Sequence, residues 1–419
     1  MAEQKIPVRM PLYFMEFQCI GGSCEDNCCV GWDVEIDKNT FHRYRREKDP
    51  ELARLFRRSI HENEEASDEA IDYAIVTLEE HNRCPFLNEQ NLCKIQAKLG
   101  HDALSNVCAT FPRFTNQVDG VLEYSATVSC PEAARLILRN KDGIRFLEET
   151  QFPLPRMILN YSIQTRQQRG NRMIQYFKEL RAFTISVLQN KAYSLEERFL
   201  ILGHFYEELQ LSFQGRAEVG VLQLILSFQE KLARAELAPT EWNIGDALSP
   251  EEVQTQLKIV KELLDQMNRS TQIDSAAYLR FSEEFQKGLG LNQKSSLGEE
   301  TSAYQIAYHQ YYEPFLKEHE YLLENYLVNY VFSELFPAAE STKPLEAYLM
   351  LVLRYTLIKC SLIGISGFRK GLTVDLCVEF IQAFSKAIEH HHTYLEGLAV
   401  WMKKNQYMTL PIAELLVKG

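Results

Sequence analysis

Eight cysteines are the residues of this chain best equipped to do chemistry. They fall as Cys19, Cys24, Cys28 and Cys29, then Cys84, Cys93, Cys108 and Cys130, eight of the ten cysteines in a chain of 419 residues. Four of them crowd the stretch CIGGSCEDNCC, from Cys19 to Cys29. Thiols at this density act as staples, as metal ligands or as redox groups, and the compartment decides between these. The opening MAEQKIPVRMPLYFMEF carries charges, no sustained apolar core and no small-residue cleavage site. We therefore expect a cytoplasmic protein with reduced thiols, in which the cluster binds metal or does redox chemistry.

Structural zinc sites usually come as paired C-x2-4-C knuckles. Cys24 and Cys28 could form one, but no second knuckle follows. Intervals of eight, fourteen and twenty-one residues separate Cys84, Cys93, Cys108 and Cys130, so ligands would come from separate elements of a fold. Iron–sulfur clusters take Cys thiolates, often four, and one common ferredoxin run ends in Cys-Pro; Cys84-Pro85 and Cys130-Pro131 both show that dipeptide. The reading is an iron–sulfur cluster, with zinc and plain buried thiols as alternatives. Spacing leaves open which cysteines bind and whether there is a second site. Cys360 and Cys377, isolated in apolar runs, read as small core residues.

Other chemistries lack their signatures. There is no C-x3-C-x2-C, because Gly31 stands where the third cysteine would be. No G-x-G-x-x-G follows a strand, and no P-loop, G-x-S-x-G or H-E-x-x-H is present.

The elements that must position the cysteines differ between the two ends of the chain. WDVEID (Trp32 to Asp37), YAIVTLE (Tyr73 to Glu79) and VLEYSATVS (Val121 to Ser129) read as strands. Short helical patterns, PELARLFRRS and PEAARLILRN, sit among them, and HENEEASDEAID (His61 to Asp72) reads as a solvated loop. QFPLPRM, with two prolines, marks a boundary, beyond which helices follow one another. Ser194 with Glu197 and Ser249 with Glu252 fit capping boxes. Lys287 to Glu300 reads as a flexible loop. The apolar run Ala347 to Gly367 is broken by Arg354 and Lys359 and reads as a buried helix; a membrane span needs about 20 largely uncharged residues. The expected fold is mainly α, with a small mixed α/β cysteine-rich region (1–150) packed on a helical domain (151–419). A formal net charge of −12 disfavours nucleic acid and anionic membranes, and favours a cationic partner such as a lysine side chain.

The stretches FQCIGGSCEDNCCVGWDVEIDKNT, CPFLNEQNLCKIQAKLG, LSNVCATFPRF and SCPEAARLIL resemble the flagellin lysine-N-methylase (FliB-type) family. A looser likeness exists to cysteine-cluster proteins described as zinc- or iron-chelating. The resemblance continues through PFLKEHEYLLENYLVNYVFSELFP (Pro314 to Pro337) and FSKAIEHHHTYLEGL (Phe384 to Leu398). It implies an S-adenosylmethionine-dependent enzyme that methylates surface lysines of flagellin, with a [4Fe-4S] cluster in place of an ordinary methyltransferase fold.

Such a reaction needs a neutral lysine, whose reference pKa is about 10.4, and a donor held in line with it. A cluster held by three cysteines has one free iron that could bind the amino and carboxylate groups of the donor; a one-electron role is the harder alternative, given the missing radical motif. Arg113 and Arg135, beside Cys108 and Cys130, are candidates to pair with the donor carboxylate or the cluster, or to form ordinary salt bridges. Glu132 reads as a capping residue. In LLENYLVNYVF, Asn325 and Asn329 lie on one helix face with Tyr326 and Tyr330 on the next. The asparagines are candidate cofactor-binding residues and the tyrosines candidate catalytic ones in a polar pocket; core hydrogen bonding is their other reading. His390, His391 and His392 point about 100° apart on a helix and cannot converge on one ion. Two rivals from other classes stand beside the enzyme: a non-catalytic zinc- or cluster-binding scaffold, and an electron-transfer protein.

Overall fold

The computed structural model describes residues 6–419 except 32–33, 69, 150–155, 167–169, 217–218, 235, 238–247, 270–274, 292–294 and 389–391. It is mainly helical, with the strands concentrated towards the N-terminus. Two compact units divide it: residues 1–136 with 145–162, and residues 137–144 with 163–419.

The first unit is built on two small sheets. Its strands are β1 (Val8–Pro11), β2 (Val34–Ile36), β3 (Ile60–Glu62), β4 (Ala74–Val76), β5 (Arg113–Val118), β6 (Val121–Ala126), β7 (Phe146–Glu149) and β8 (Tyr161–Ile163). One sheet runs β7-β1-β6-β5-β8 and the other β2-β4-β3. β5 and β6 form a hairpin in which Val118 faces Val121 across Asp119 and Gly120, both with positive φ (49° and 84°). This Asp-Gly pair is the two-residue turn whose backbone twist matches that of the strands. β1 pairs with β6 in parallel, with Val8 opposite Leu122. Parallel neighbours need a long crossover. Here the crossover carries the whole β2-β4-β3 sheet and seven of the eight N-terminal cysteines.

That second sheet is covered by the helices Lys38–Arg45 and Pro50–Ser59. Both start on an aspartate whose carboxylate accepts from the backbone N–H three residues on: Asp37 from Thr40 and Asp49 from Leu52. Their buried faces meet the sheet in a core of Val34, Ile36, Phe41, Tyr44, Phe56 and Val76, with Tyr44 stacked on Phe56 at 4.1 Å. Cys84 belongs to this core, and Cys29, Cys93 and Cys108 pack against it. The sheet thus forms the floor under the thiols. Of the stretch read as a solvated loop, His61 and Glu62 belong to β3; beyond them the Asp72 carboxylate accepts from the backbone N–H groups of Ser67 and Asp68, and residue 69 lies outside the described residues.

The second unit is helical around one central rod, Pro344–Arg369. This is the one described helix long and apolar enough to cross a membrane, and its apolar window is wholly buried by the helices around it. A helix apolar on all sides needs neighbours on all sides. Leu195–Phe213, Ala276–Gly288, Leu297–Ala307, Tyr321–Ser333 and Leu410–Val417 supply them. Two charges interrupt its apolar run, and each is matched. Arg354 lies over the Tyr330 ring at 4.1 Å with Glu340 at 3.8 Å. The Lys359 ammonium donates to the carbonyls of Leu416 (3.1 Å), Val417 (2.9 Å) and Lys418 at the end of the Leu410–Val417 helix. A buried cation there satisfies carbonyls that no helical N–H reaches. The capping boxes at Ser194 with Glu197 and at Ser249 with Glu252 are formed. A third box, Ser296 with Glu299, starts a helix inside the stretch read as a flexible loop; of that stretch, 292–294 lie outside the described residues. The run from Arg172 to Leu188 forms two helices, Arg172–Gln175 and Phe177–Leu188, on either side of Tyr176.

Candidate functional site

The cysteine loop is fixed by its own backbone and by one asparagine. Asn27 accepts from the N–H of Cys29 through Oδ1 (2.9 Å) and donates from Nδ2 to the carbonyl of Asn91 (3.0 Å). The loop is thereby tied to the Asn88–Leu92 turn, the segment between Cys84 and Cys93. The N–H of Cys84 donates to the carbonyl of Cys29 (2.9 Å), next to an antiparallel bridge between Val30 and Arg83. Leu87 and Cys93 form a further bridge, and Cys93 heads the helix Lys94–Leu99. Cys108 lies in the short helix Asn106–Thr110, where its N–H donates to the Ser105 hydroxyl (3.3 Å). Cys130 heads the helix Pro131–Leu138.

These elements bring seven thiols together around Cys28. Cys29 is hydrogen-bonded to both Cys28 and Cys84. Cys93 and Cys108 each sense the charge of Cys28, and Cys108 that of Cys93. On the other side, Cys24 and Cys130 both sense Cys28, and Cys130 senses Cys24. All ten cysteines are free thiols. Cys19 is exposed, in the loop before the turn Gly21–Ser23.

Burial pushes the Cys108 and Cys130 thiols up to about 12 and that of Cys24 to about 11. At Cys29 the bond from Cys28 favours the thiolate, but the bond to Cys84 and burial prevail and raise it. Crowded, half-desolvated thiols cannot all ionise on their own, and a bound cation is what would compensate their charge. By donor type the set suits a thiolate-held metal group. Among the described residues, no three His, Cys, Asp or Glu side chains stand close enough to hold a metal ion as they are.

Two arginines read from the sequence have definite partners. Arg135 is held by Glu132 (2.7 Å) and by Glu25, which lies in the cysteine loop between Cys24 and Cys28. That pairing fixes the loop to the Pro131–Leu138 helix and holds the Glu25 carboxyl below its usual range against the opposing effect of burial. Arg113 lies over the Phe17 ring at 5.3 Å.

A polar cleft of about 230 Å³ was not foreseen; Asp37, Arg43, Asp102, Asn106 and Arg156 contribute to its walls. The Asp37 carboxylate accepts from the N–H groups of Thr40 and Asn106 (both 3.0 Å), which places the two helix starts side by side. Arg156 donates to the Asn106 side chain and to the Leu104 carbonyl (both 2.8 Å), and its charge favours the thiolate of Cys108. The sequence held no signal for this cleft, because Arg43, Asn106 and Arg156 are distant in the chain.

In the second unit, Asn325, Tyr326, Asn329 and Tyr330 are all buried on the helix Tyr321–Ser333. Asn325 donates from Nδ2 to the carbonyls of Asn140 (2.7 Å) and Leu138 (3.4 Å), a core hydrogen bond. The Tyr330 hydroxyl is buried without a hydrogen-bond partner. Beside them Arg198, 2% exposed, binds Glu324 (2.8 Å) and Glu320 (3.0 Å). His390 and His391 lie outside the described residues.

Comparison with known proteins gives the family. The chain is 29% identical over 162 residues to the flagellar biosynthetic protein FliU of Salmonella muenchen, covering 38% of this chain and 92% of that protein. It is 30% identical over 151 residues to the lysine-N-methylases of Salmonella typhimurium and Salmonella choleraesuis, covering 35% of this chain. The matched stretch spans 36% of the length of those two relatives. No solved structure matches. Residues 181–416, more than half of the chain, match the FliB lysine N-methylase C-terminal domain, and the chain belongs to that family.

Proposed function

We propose that this protein is a cytoplasmic protein-lysine N-methyltransferase that moves a methyl group from S-adenosylmethionine to surface lysines of flagellin, and that its first unit holds an iron–sulfur cluster. Membership of the lysine N-methylase family carries the reading. The coupling of five thiols to Cys28, with Cys84 joined through Cys29, supports the cluster. Ligands would come from Cys24, Cys28, Cys29, Cys84, Cys93, Cys108 and Cys130, and zinc is the alternative metal for the same donors. Bound through three of these thiolates, a cluster would supply an iron to which the amino and carboxylate groups of the donor could bind.

The chain's own residues do the rest. The β2-β4-β3 sheet and its two helices hold the thiols on a rigid apolar floor. Glu25 and Arg135 fix the loop that carries Cys24, Cys28 and Cys29. The cleft beside Cys108 places Arg43 and Arg156 where a carboxylate could be bound, since a guanidinium offers five N–H donors and neither arginine uses all of its own. With a net charge of −12, the protein attracts the cationic side chain it has to modify.

A second reading, a metal-holding scaffold without catalysis, draws on the packing of the thiols against the core. Cys84→Ser separates the two. The reading expects a variant that still folds, at reduced thermal stability, and that has lost flagellin methylation and its metal content together. Unfolding of the variant, with methylation absent in the wild type as well, would assign the thiols to a structural metal.

A further inference from the structure

We propose that the helical unit holds a binding site for an alkylammonium group, the side chain of lysine, formed by Glu196, Tyr308, Tyr312 and Tyr355. The choice of lysine as guest rests on the methylase reading above; the site itself rests on unpaired polar atoms. Tyr308–Tyr312 (YHQYY) forms a single π-helical turn between the helices Leu297–Ala307 and Glu313–His319. Pro314 has no N–H to continue the α-helical ladder, and the helix widens just before it. Turns of this type recur at functional sites.

The wide turn gathers tyrosines around one carboxylate. The Tyr308 hydroxyl lies beside the Glu196 carboxylate, and the Tyr308 and Tyr312 rings are 5.7 Å apart. Tyr312 and Tyr355 both lie within the field of Glu196 and Tyr308. Each is 1% exposed, and neither hydroxyl has a hydrogen-bond partner. Buried hydroxyls without partners are uncommon in folded proteins and call for a ligand or a water. An ammonium has three donors and no acceptor, so two hydroxyl oxygens and a carboxylate complement it, while the ring faces suit a cation. Glu196 and Tyr308 are only half-buried, which leaves the site a way in.

The neighbouring charges leave Glu196 for the guest. Glu320 is paired with Arg198, and Glu313 with Lys317 and His309. Lys359 lies within the field of Glu196 and 5.8 Å over the Tyr355 ring, but its three donors go to the carbonyls of Leu416, Val417 and Lys418, which leaves the Tyr355 hydroxyl and the Glu196 carboxylate without a bond from it. Among the described residues Glu196 makes no direct ion pair. Gly419 lies against the Tyr308 ring, so the segment anchored by Lys359 borders the site.

The test uses the full chain, purified anaerobically, and calorimetric titration with a flagellin peptide bearing one lysine and with the same peptide bearing norleucine. Glu196→Gln is expected to weaken binding of the lysine peptide at least tenfold, with no effect on the norleucine peptide, donor binding or visible absorption. Tyr312→Phe removes an unpaired hydroxyl and so leaves folding intact. It is expected to weaken the lysine peptide several-fold and to raise KM for flagellin. Unchanged lysine-peptide affinity in both variants would overturn the proposal. Flagellin methylation with unchanged KM in both variants would overturn it while leaving the methylase reading in place. Lysine-peptide binding that depends on Glu196, in a protein that methylates nothing, would keep the site and remove the methylase reading.

Discussion

Arg198→Met tests the reasoning about the buried charges of the helical unit. The guanidinium is 2% exposed and makes four contacts: to the carbonyls of Tyr193 and Leu188 (both 2.8 Å) and to Glu324 (2.8 Å) and Glu320 (3.0 Å). Methionine matches its length and donates nothing. Glu320 is about a quarter exposed and can turn to water, whereas Glu324 is 2% exposed and its Oε1 already lacks a partner. Removing one member of such a pair leaves a buried, uncompensated carboxylate, at a cost of about 3–5 kcal/mol. In a unit of this size that corresponds to a fall in Tm of roughly 10 °C. Thermal unfolding followed by circular dichroism at 222 nm, a helix-weighted wavelength, reads it directly. Arg198→Met combined with Glu324→Leu removes both charges, and more than half of the loss should return, because an apolar pair replaces a buried ion pair at little or no cost. A loss below about 1 kcal/mol for the single variant, the range of an exposed pair, would refute the reasoning.

Three other perturbations have defined outcomes. A Cβ at Gly288 would overlap the backbone carbonyl of Gly364 where the helices Ala276–Gly288 and Pro344–Arg369 cross, so Gly288→Ala should cost about 3 kcal/mol in chemical denaturation despite alanine's better helix propensity. Ser194→Ala removes half of a capping box that faces water, and should cost only about 1 kcal/mol by the same method. Backbone donation from Leu52 and then Lys98 hold the Asp49 carboxyl below its usual range, and Lys98 and Lys94 hold that of Glu51 there. Depressed carboxylates stabilise the fold above their unfolded pKa near 4, and this is lost as pH falls through the folded values. Acid titration of the near-ultraviolet signal should therefore show Lys98→Met and wild type converging at low pH.

Local features were legible in the sequence because local physics sets them. Asp49 before Pro50 announces the start of one helix, and serine followed three residues later by glutamate announces two others. The strand patterns at Val34–Ile36 and Ala74–Val76 alternate as half-buried strands do, and Val121–Ala126, legible from its β-rich composition, is buried on both faces. Strand order was not legible. The parallel pairing of β1 with β6 joins residues over a hundred positions apart, and VRMP carries too few residues to show a period.

The count of cysteines pointed to metal binding, with a second site left open, but did not single out Cys28. Its position depends on the Asn27–Asn91 tie and on the Cys84–Cys29 backbone bond, both long-range. Arg354 and Lys359 read as interruptions of an apolar helix. Their partners, Tyr330 with Glu340 and the carbonyls after Leu415, lie on other elements. Arg198 carried no signal in the sequence, because its carboxylate partners Glu320 and Glu324 lie more than a hundred residues away. The π turn at Tyr308–Tyr312 leaves a weak local trace, the proline that follows it.

The measurement closest to the central claim is a mass analysis of flagellin after incubation with the anaerobically purified protein and S-adenosylmethionine, with iron, sulfide and zinc quantified in the same protein sample. The account predicts methyl additions confined to lysine side chains and dependent on the donor, from a protein that contains iron and sulfide. Unmodified flagellin, from a folded protein that contains its metal and binds the donor, would contradict it.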